Sequence, residues 1–266
     1  DRLRFDTQAY EPGGPGAAPA PATHCNKKYA PRSDRAGALC GHELDARGFH
    51  AATCNVGGGV DRGHNDVRDW LAVTLGRWTG RTLLTEQYVS EWDREARNRQ
   101  GDIRTDERGN VIWNRARLDV QFWDERGRLA YADVVITAAA SSDPAKVAAY
   151  AAKPGKAAEE AENDKRARYP AARHPRASLV PFAVEAKGRV GKAAAHLLRA
   201  MAPSDVSLRA GELQRAWREL SVLVQSRHAD LMLHAESTQH GAPARPRASV
   251  FLAQPGRSAA PEVLPG

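Results

Sequence analysis

The sequence predicts a mixed α/β domain built on a short central sheet flanked by helices. Three observations predict it. Apolar and polar residues alternate from Leu118 to Phe122, and a second strand-like run follows a glycine turn, from Leu129 to Thr137. Helical spacing appears on both sides of that pair, in residues 65–75 and 205–236. An Ala/Lys/Glu-rich stretch, 143–169, separates the pair from a later apolar strand at 179–185. The order is therefore helix, strands, helix, strand, helix.

The elements follow in turn. A Cys/His-rich stretch, 25–54, leads into the glycine run at 56–59, which is expected to be flexible. Val67, Trp70, Leu71 and Leu75 then mark one face of a helix. Residues 82–89 fit either a short strand or the end of a second helix, and 91–110 are charged and irregular. Asp106-Glu107-Arg108-Gly109 nearly repeats Asp124-Glu125-Arg126-Gly127. With Val111 to Trp113 between them, the two turns predict an antiparallel meander of three strands. Pro154-Gly155 should break the 143–169 helix. Residues 192–201 and 205–236 read as helices. The last carries Leu213, Trp217, Leu220, Val224 and Leu231 on one face, a stripe suited to core packing.

Composition narrows the function classes. The chain has 266 residues, a net charge of +7 and a pI near 9.5, which suits a polyanionic partner. Its positive charge is spread over arginines along the chain. Residues 1–24 and 237–266 are dominated by Pro, Gly, Ala, Arg and Ser and are expected to be disordered. That leaves a Cys/His segment at 25–60 and a larger domain at 61–236. No run of eighteen apolar residues appears, so no membrane span is expected. Three cysteines argue against a secreted disulfide framework. A chain without an initiator Met is expected to be a fragment of a longer protein.

Cys40, His50 and Cys54 are the strongest metal-ligand candidates. His50 and Cys54 form an H-x3-C step, and Cys40 precedes them across a glycine-containing turn. Zinc takes four N or S ligands in a tetrahedron, with paired ligands close in sequence. Cys25, His24 and His42 are all available as the fourth. Gly37 stands where a paired C-x2-C would place its first cysteine. His64, in Arg62-Gly63-His64-Asn65, reads as a capping or packed histidine.

The hairpin carries the sharpest signal. A three-residue loop, Glu125-Arg126-Gly127, with glycine in the left-handed position, sets Asp119 directly opposite Asp133. Like charges on cross-strand partners are destabilising, and a divalent cation between them removes the penalty. A register slip would instead leave both as solvated edge carboxylates.

These residues together resemble a known family. The run from Cys40 to Cys54, then Gly57-Gly58-Gly59 and Arg62-Gly63-His64-Asn65, resembles the zinc-knuckle region near the C-terminus of non-LTR retrotransposon polyproteins. The similarity continues through Thr85-Glu86-Gln87, Ala116-Arg117-Leu118-Asp119-Val120, Tyr131-Ala132-Asp133-Val134, Lys165-Arg166-Ala167-Arg168-Tyr169-Pro170 and residues 179–189. The resemblance implies a restriction-like endonuclease of PD-(D/E)xK type, a short mixed sheet flanked by helices, preceded by the zinc knuckle.

By that resemblance Asp119 and Asp133 are the two acids that hold Mg2+. Lys165, in a K-x3-Y step with Tyr169, is the lysine that stabilises charge or helps activate water. In the standard motif the lysine lies two residues beyond the second acid, where this chain has Val135. Leu118 replaces the proline usual before the first acid. Glu86 could supply a further carboxylate, or be a solvated surface group. Glu185-Ala186-Lys187 is a literal E-x-K and a rival for the motif's second half; Lys146, Lys153 and Lys156 read as solvated.

The implied activity is Mg2+-dependent nicking of target DNA so that the exposed end primes reverse transcription, with structural zinc in the knuckle. Element RNA is a further expected partner, and the expected context is a larger reverse transcriptase polyprotein, nuclear or cytoplasmic, with the resemblance favouring the nucleus. Two other readings stand beside it: a catalytically decayed nucleic-acid-binding fragment of a mobile element, and a metal-stabilised interaction domain.

Overall fold

Glycine at 59 permits the contact that organises the helical layer. A Cβ there would lie 2.6 Å from Leu231 Cδ2, so the glycine lets that leucine seat directly on the helix start. The two helices that meet here are α2 (Gly59–Thr79) and α6 (Val206–Glu236). A computed structural model describes residues 24–31, 33–45, 48–139, 141 and 143–236. The segments expected to be disordered lie outside these residues, apart from His24. The remaining helices are α1 (Phe49–Thr53), α3 (Pro144–Ala152), α4 (Lys156–Arg168) and α5 (Lys192–Met201). The strands are β1 (Leu84–Tyr88), β2 (Arg94–Glu95), β3 (Trp113–Asn114), β4 (Arg117–Trp123), β5 (Leu129–Thr137) and β6 (Ser178–Glu185).

The main sheet has the order β1-β4-β5-β6. β4 pairs antiparallel with β1 and β5, whereas β6 runs parallel to β5. A parallel neighbour requires a crossover connection, which α3 and α4 supply. The chain is thus mixed α/β, with a mixed sheet flanked by helices. α2, α5 and α6 bury Trp70, Leu71, Leu198 and Leu220 against Val120, Phe122, Val134, Phe182 and Val184 of the sheet. A second cluster joins Trp92, Leu118, Tyr131 and Tyr169, with Leu179 packed against it. Among the described residues, no helix is long and apolar enough to cross a membrane.

Three expectations are corrected. The glycine run at 56–59 forms a short 3-10 turn, Val56–Gly58, and the first residue of α2, with Gly57 and Gly58 at positive φ. The third antiparallel strand beside the hairpin is β1, not 111–113. Trp113–Asn114 pairs instead with Arg94–Glu95 in a separate two-stranded sheet, extended by bridges Arg97–Ile103 and Thr105–Val111. The intervening charged loop is long enough to fold back on itself, so it forms its own ribbon. Finally, Leu118 does not share a cluster with Val120 and Phe122. Leu118 packs instead with Trp92 and Tyr131 on the other side, and at the Asp119 rung the neighbouring strand carries Glu86 with φ 58.

Two buried glutamates hold helix ends rather than chemistry. Glu185 accepts from Ala158 N in the first turn of α4 at 3.4 Å. Glu162, on α4, accepts from Ala193 N in the first turn of α5 at 2.8 Å. Both satisfy amide groups that a helix start leaves without partners. Glu162→Ala is therefore expected to destabilise the fold by about 1 kcal/mol, in the range of lost helix caps. A chemical denaturation midpoint measures it, and an unchanged midpoint would remove the capping role.

Candidate active site and metal centre

The hairpin β4–β5 closes with Asp124 N donating to Arg128 O at 2.9 Å and Gly127 at φ 71. Asp124 Oδ1 also accepts from Arg126 N and Arg128 N, which fixes the three-residue loop. The paired register runs from Trp123 opposite Leu129 to Val120 opposite Ala132, and just beyond it the Asp119 and Asp133 side chains meet. Both carboxylates are buried, 5% and 4% exposed, so neither is a solvated edge group. Asp119 Oδ2 accepts from Val134 N at 2.6 Å, which ties its side chain across to the neighbouring strand.

Two basic side chains, one from before the hairpin and one from after it, meet this pair. Lys165, in the last turn of α4, places Nζ 2.6 Å from Asp133 Oδ2. His64, near the start of α2, places Nε2 2.9 Å from Asp119 Oδ1. Burial pushes the Asp133 carboxyl up to about 6 against the pull of the Lys165 ammonium, with Asp119 adding to the rise. Burial also acts to raise Asp119, but its hydrogen bond from His64 and the Val134 amide outweigh this and hold it below the usual carboxylate range. The same His64–Asp119 hydrogen bond pushes the His64 pKa up. The two acids are thus driven apart, one ionised and one able to hold a proton near neutrality.

Asp133 Oδ2 makes no hydrogen bond of good geometry despite full burial. The Lys165 ammonium, 2.6 Å away, is the partner that this buried oxygen has. Tyr169, at the end of α4, lies in the aromatic cluster with Trp92, their ring centroids 5.7 Å apart. Its pKa is raised, by burial first and by Asp133 next.

Of the other candidates, Glu86 lies on β1 at the rung of Asp119. Glu86 is ion-paired with Arg68 and with Arg117, the latter at 3.1 Å, so its carboxylate is engaged by two guanidinium groups. Lys187 is exposed, and its charge acts on His228 of α6. The parallel register puts Asp133 opposite Pro181 and Glu185 opposite Thr137. Four strand residues, about 13 Å, therefore separate the E-x-K glutamate from the level of Asp133. Lys153 and Lys156 pair with Glu159.

The Cys/His segment gathers its ligand set fully. Cys25, Cys40, His50 and Cys54 bring Sγ and ring nitrogen atoms within 4.8 Å of one another. Cys25 Sγ lies 3.9 Å from Cys54 Sγ, Cys54 Sγ 3.7 Å from Cys40 Sγ, and Cys40 Sγ 3.4 Å from His50 Nε2. Ligands bonded tetrahedrally to zinc at about 2.3 Å are about 3.8 Å apart, so these spacings can hold a metal ion. Cys25, not His24, completes the set. His42 stacks on His50 with ring centroids 5.0 Å apart and places Nδ1 3.5 Å from Cys40 Sγ.

Local folding explains the gathering. Asp45 accepts from Phe49 N and His50 N, starting α1, which carries His50 inward. Cys25 N bonds His42 O and Cys40 N bonds Lys27 O, pairing the two cysteine-bearing segments. Burial pushes the Cys54 thiol up to about 12, so without a cation it stays protonated. Burial, with Lys27 nearby adding to it, pushes the His50 pKa down and so favours the neutral form that ligates metal.

Comparison with protein-family models and with curated proteins finds no match for the chain. The site therefore rests on its own geometry. His64 is the residue that sequence reasoning missed. Its signal was its place in Arg62-Gly63-His64-Asn65, but no periodicity in one sequence links it to Asp119, fifty-five positions away.

Proposed function

We propose that the chain is the Mg2+-dependent DNA endonuclease domain of a non-LTR retrotransposon, with a PD-(D/E)xK-type core, nicking target DNA to prime reverse transcription. One observation carries the reading: Asp119 and Asp133 are buried side by side across two strands, with Lys165 at 2.6 Å. A structural fold seldom buries two adjacent carboxylates, because each must be desolvated and each opposes the other's ionisation.

Asp119 and Asp133 are the residues that would hold Mg2+, since buried, adjacent carboxylates are the hard oxygen donors that ion takes. When bound, the ion supplies charge neutralisation at the phosphate and lowers the pKa of a water. Lys165 contributes a fixed positive charge where the phosphate's negative charge grows during attack. His64 orients Asp119 through their hydrogen bond and favours its ionised form. The Cys25–Cys40–His50–Cys54 centre binds structural zinc, since four N and S ligands leave no open position for substrate.

Nicking of supercoiled plasmid in Mg2+ tests the reading. The intact chain is expected to open circles, and Asp133→Ala to do so at least about a hundredfold more slowly. Equal nicking by both would sink the catalytic assignment. Should neither nick while DNA still binds in a salt-dependent way, the non-catalytic binding module replaces it.

A further inference from the structure

Trp113 of β3 is half exposed, at 52%, and forms a wall shared by two open clefts. Arg94, Arg97 and Arg173 line the first with Glu95; Tyr88, Asp93 and Arg115 line the second. Both acids are already engaged. Glu95 pairs with Arg97 at 2.9 Å, while Asp93 accepts from the Tyr88 hydroxyl and from Ala116 N. Among the described residues, Arg94, Arg115 and Arg173 pair with no carboxylate within 4.0 Å. Tyr88 is also 52% exposed, with the Arg115 guanidinium 5.6 Å from its ring centroid.

An exposed indole between unpaired guanidinium groups has a definite chemical complement. Its apolar ring suits a flat, unsaturated ring system, and the arginines suit phosphates spaced along a chain. A paired duplex hides its base faces, so only unpaired bases can use the indole. The ribbon is also close to the acids: Trp113 precedes Asp119 by six residues along one backbone, a reach of at most about 20 Å. Arg173 follows Tyr169 by four residues at the end of α4.

We propose that this face binds single-stranded nucleic acid, stacking unpaired bases on Trp113 while Arg94, Arg115 and Arg173 take the phosphates. It rests on the nuclease reading, since it holds a melted strand beside the scissile phosphate.

The test measures binding, not cleavage. Fluorescently labelled oligo-dT and oligo-rU of about fifteen nucleotides, and a duplex of similar length, are titrated with the full chain, Trp113→Ala and Trp113→Phe at low salt. Trp113→Ala is expected to weaken single-strand binding about tenfold, Trp113→Phe at most about threefold, and duplex binding is expected to stay within about twofold. Comparison of oligo-dT with oligo-rU assigns the strand to DNA or RNA. Unchanged single-strand affinity in Trp113→Ala, an equal loss for duplex, or no single-strand binding by the intact chain would each overturn the proposal. If no form nicks plasmid yet single-strand binding depends on Trp113, the nuclease reading falls alone. If the intact chain nicks and Trp113→Ala binds undiminished, the stacking face falls alone.

Discussion

Cys54→Ser is expected to empty the metal centre and to release the chain from about residue 25 to the start of α2. The apolar cluster around the centre is small: Cys25, Cys40, Ala51, Cys54 and Ala235, with Leu44, Val56 and Met232 at its edge. So few small side chains cannot offset the ordering entropy of some thirty residues, and a metal of four ligands can. Structural zinc contributes on the order of 10 kcal/mol to such segments. The same cluster holds the last turns of α6, where Asn26 N donates to Ala235 O at 3.1 Å. Loss of the ion should therefore unlock residues near Met232 and Ala235 as well, while the sheet keeps its protection. Zinc analysis together with amide hydrogen exchange checks both parts. Acid should mimic the mutation, because a Cys54 thiol at about 12 must surrender its proton to bind metal. A Cys54→Ser chain that retained zinc, or matched the intact chain in protection across 25–58, would contradict the assignment.

What the sequence made legible was local. Alternation at Val120 and Phe122 and the Asp-Glu-Arg-Gly turn were enough for the hairpin and the register next to its turn, because a strand's period and a turn's glycine act over a few residues, whereas the face taken by Leu118 was not legible. The break at Pro154-Gly155 was legible for the same reason, and it separates α3 from α4. Tertiary choices were not. Whether 111–113 or 84–88 became the third strand depended on which segment could reach β4, and both have similar strand preference. The left-handed Glu86 shows nothing in its side chain to mark it. Cys25 could not be separated from His24 as fourth ligand until pairing of its segment with 38–42 fixed which side chain faces inward. Lys165 entered through the K-x3-Y resemblance, and its distance to Asp133 is a property of the crossover that spacing alone does not state.

The last prediction joins Lys165 to the pH profile of the proposed reaction. The Asp133 carboxyl sits at about 6, above the ordinary 3.8 of an unfolded chain. A carboxyl raised on folding binds its proton more tightly in the native state. Its contribution to stability is therefore fully present below about pH 4 and is lost as pH rises through about 6. The loss is of order 3 kcal/mol for the metal-free protein, at roughly 1.4 kcal/mol per unit. A cation at Asp133 must displace that proton, so Mg2+ affinity and nicking should fall about tenfold per pH unit below about 6 and level off above it. Lys165 pulls the carboxyl down, and Lys165→Gln removes that pull. The acidic limb of the profile should then move to higher pH, while the plateau drops by about a hundredfold or more from the lost charge stabilisation. A purely structural role for Lys165 would lower the rate through unfolding and leave the limb in place. Nicking rates across pH 5–9, with Mg2+ affinity measured by calorimetry on both chains, separate the two. An unmoved limb in Lys165→Gln would break the link between this lysine and Asp133 on which the proposed chemistry depends.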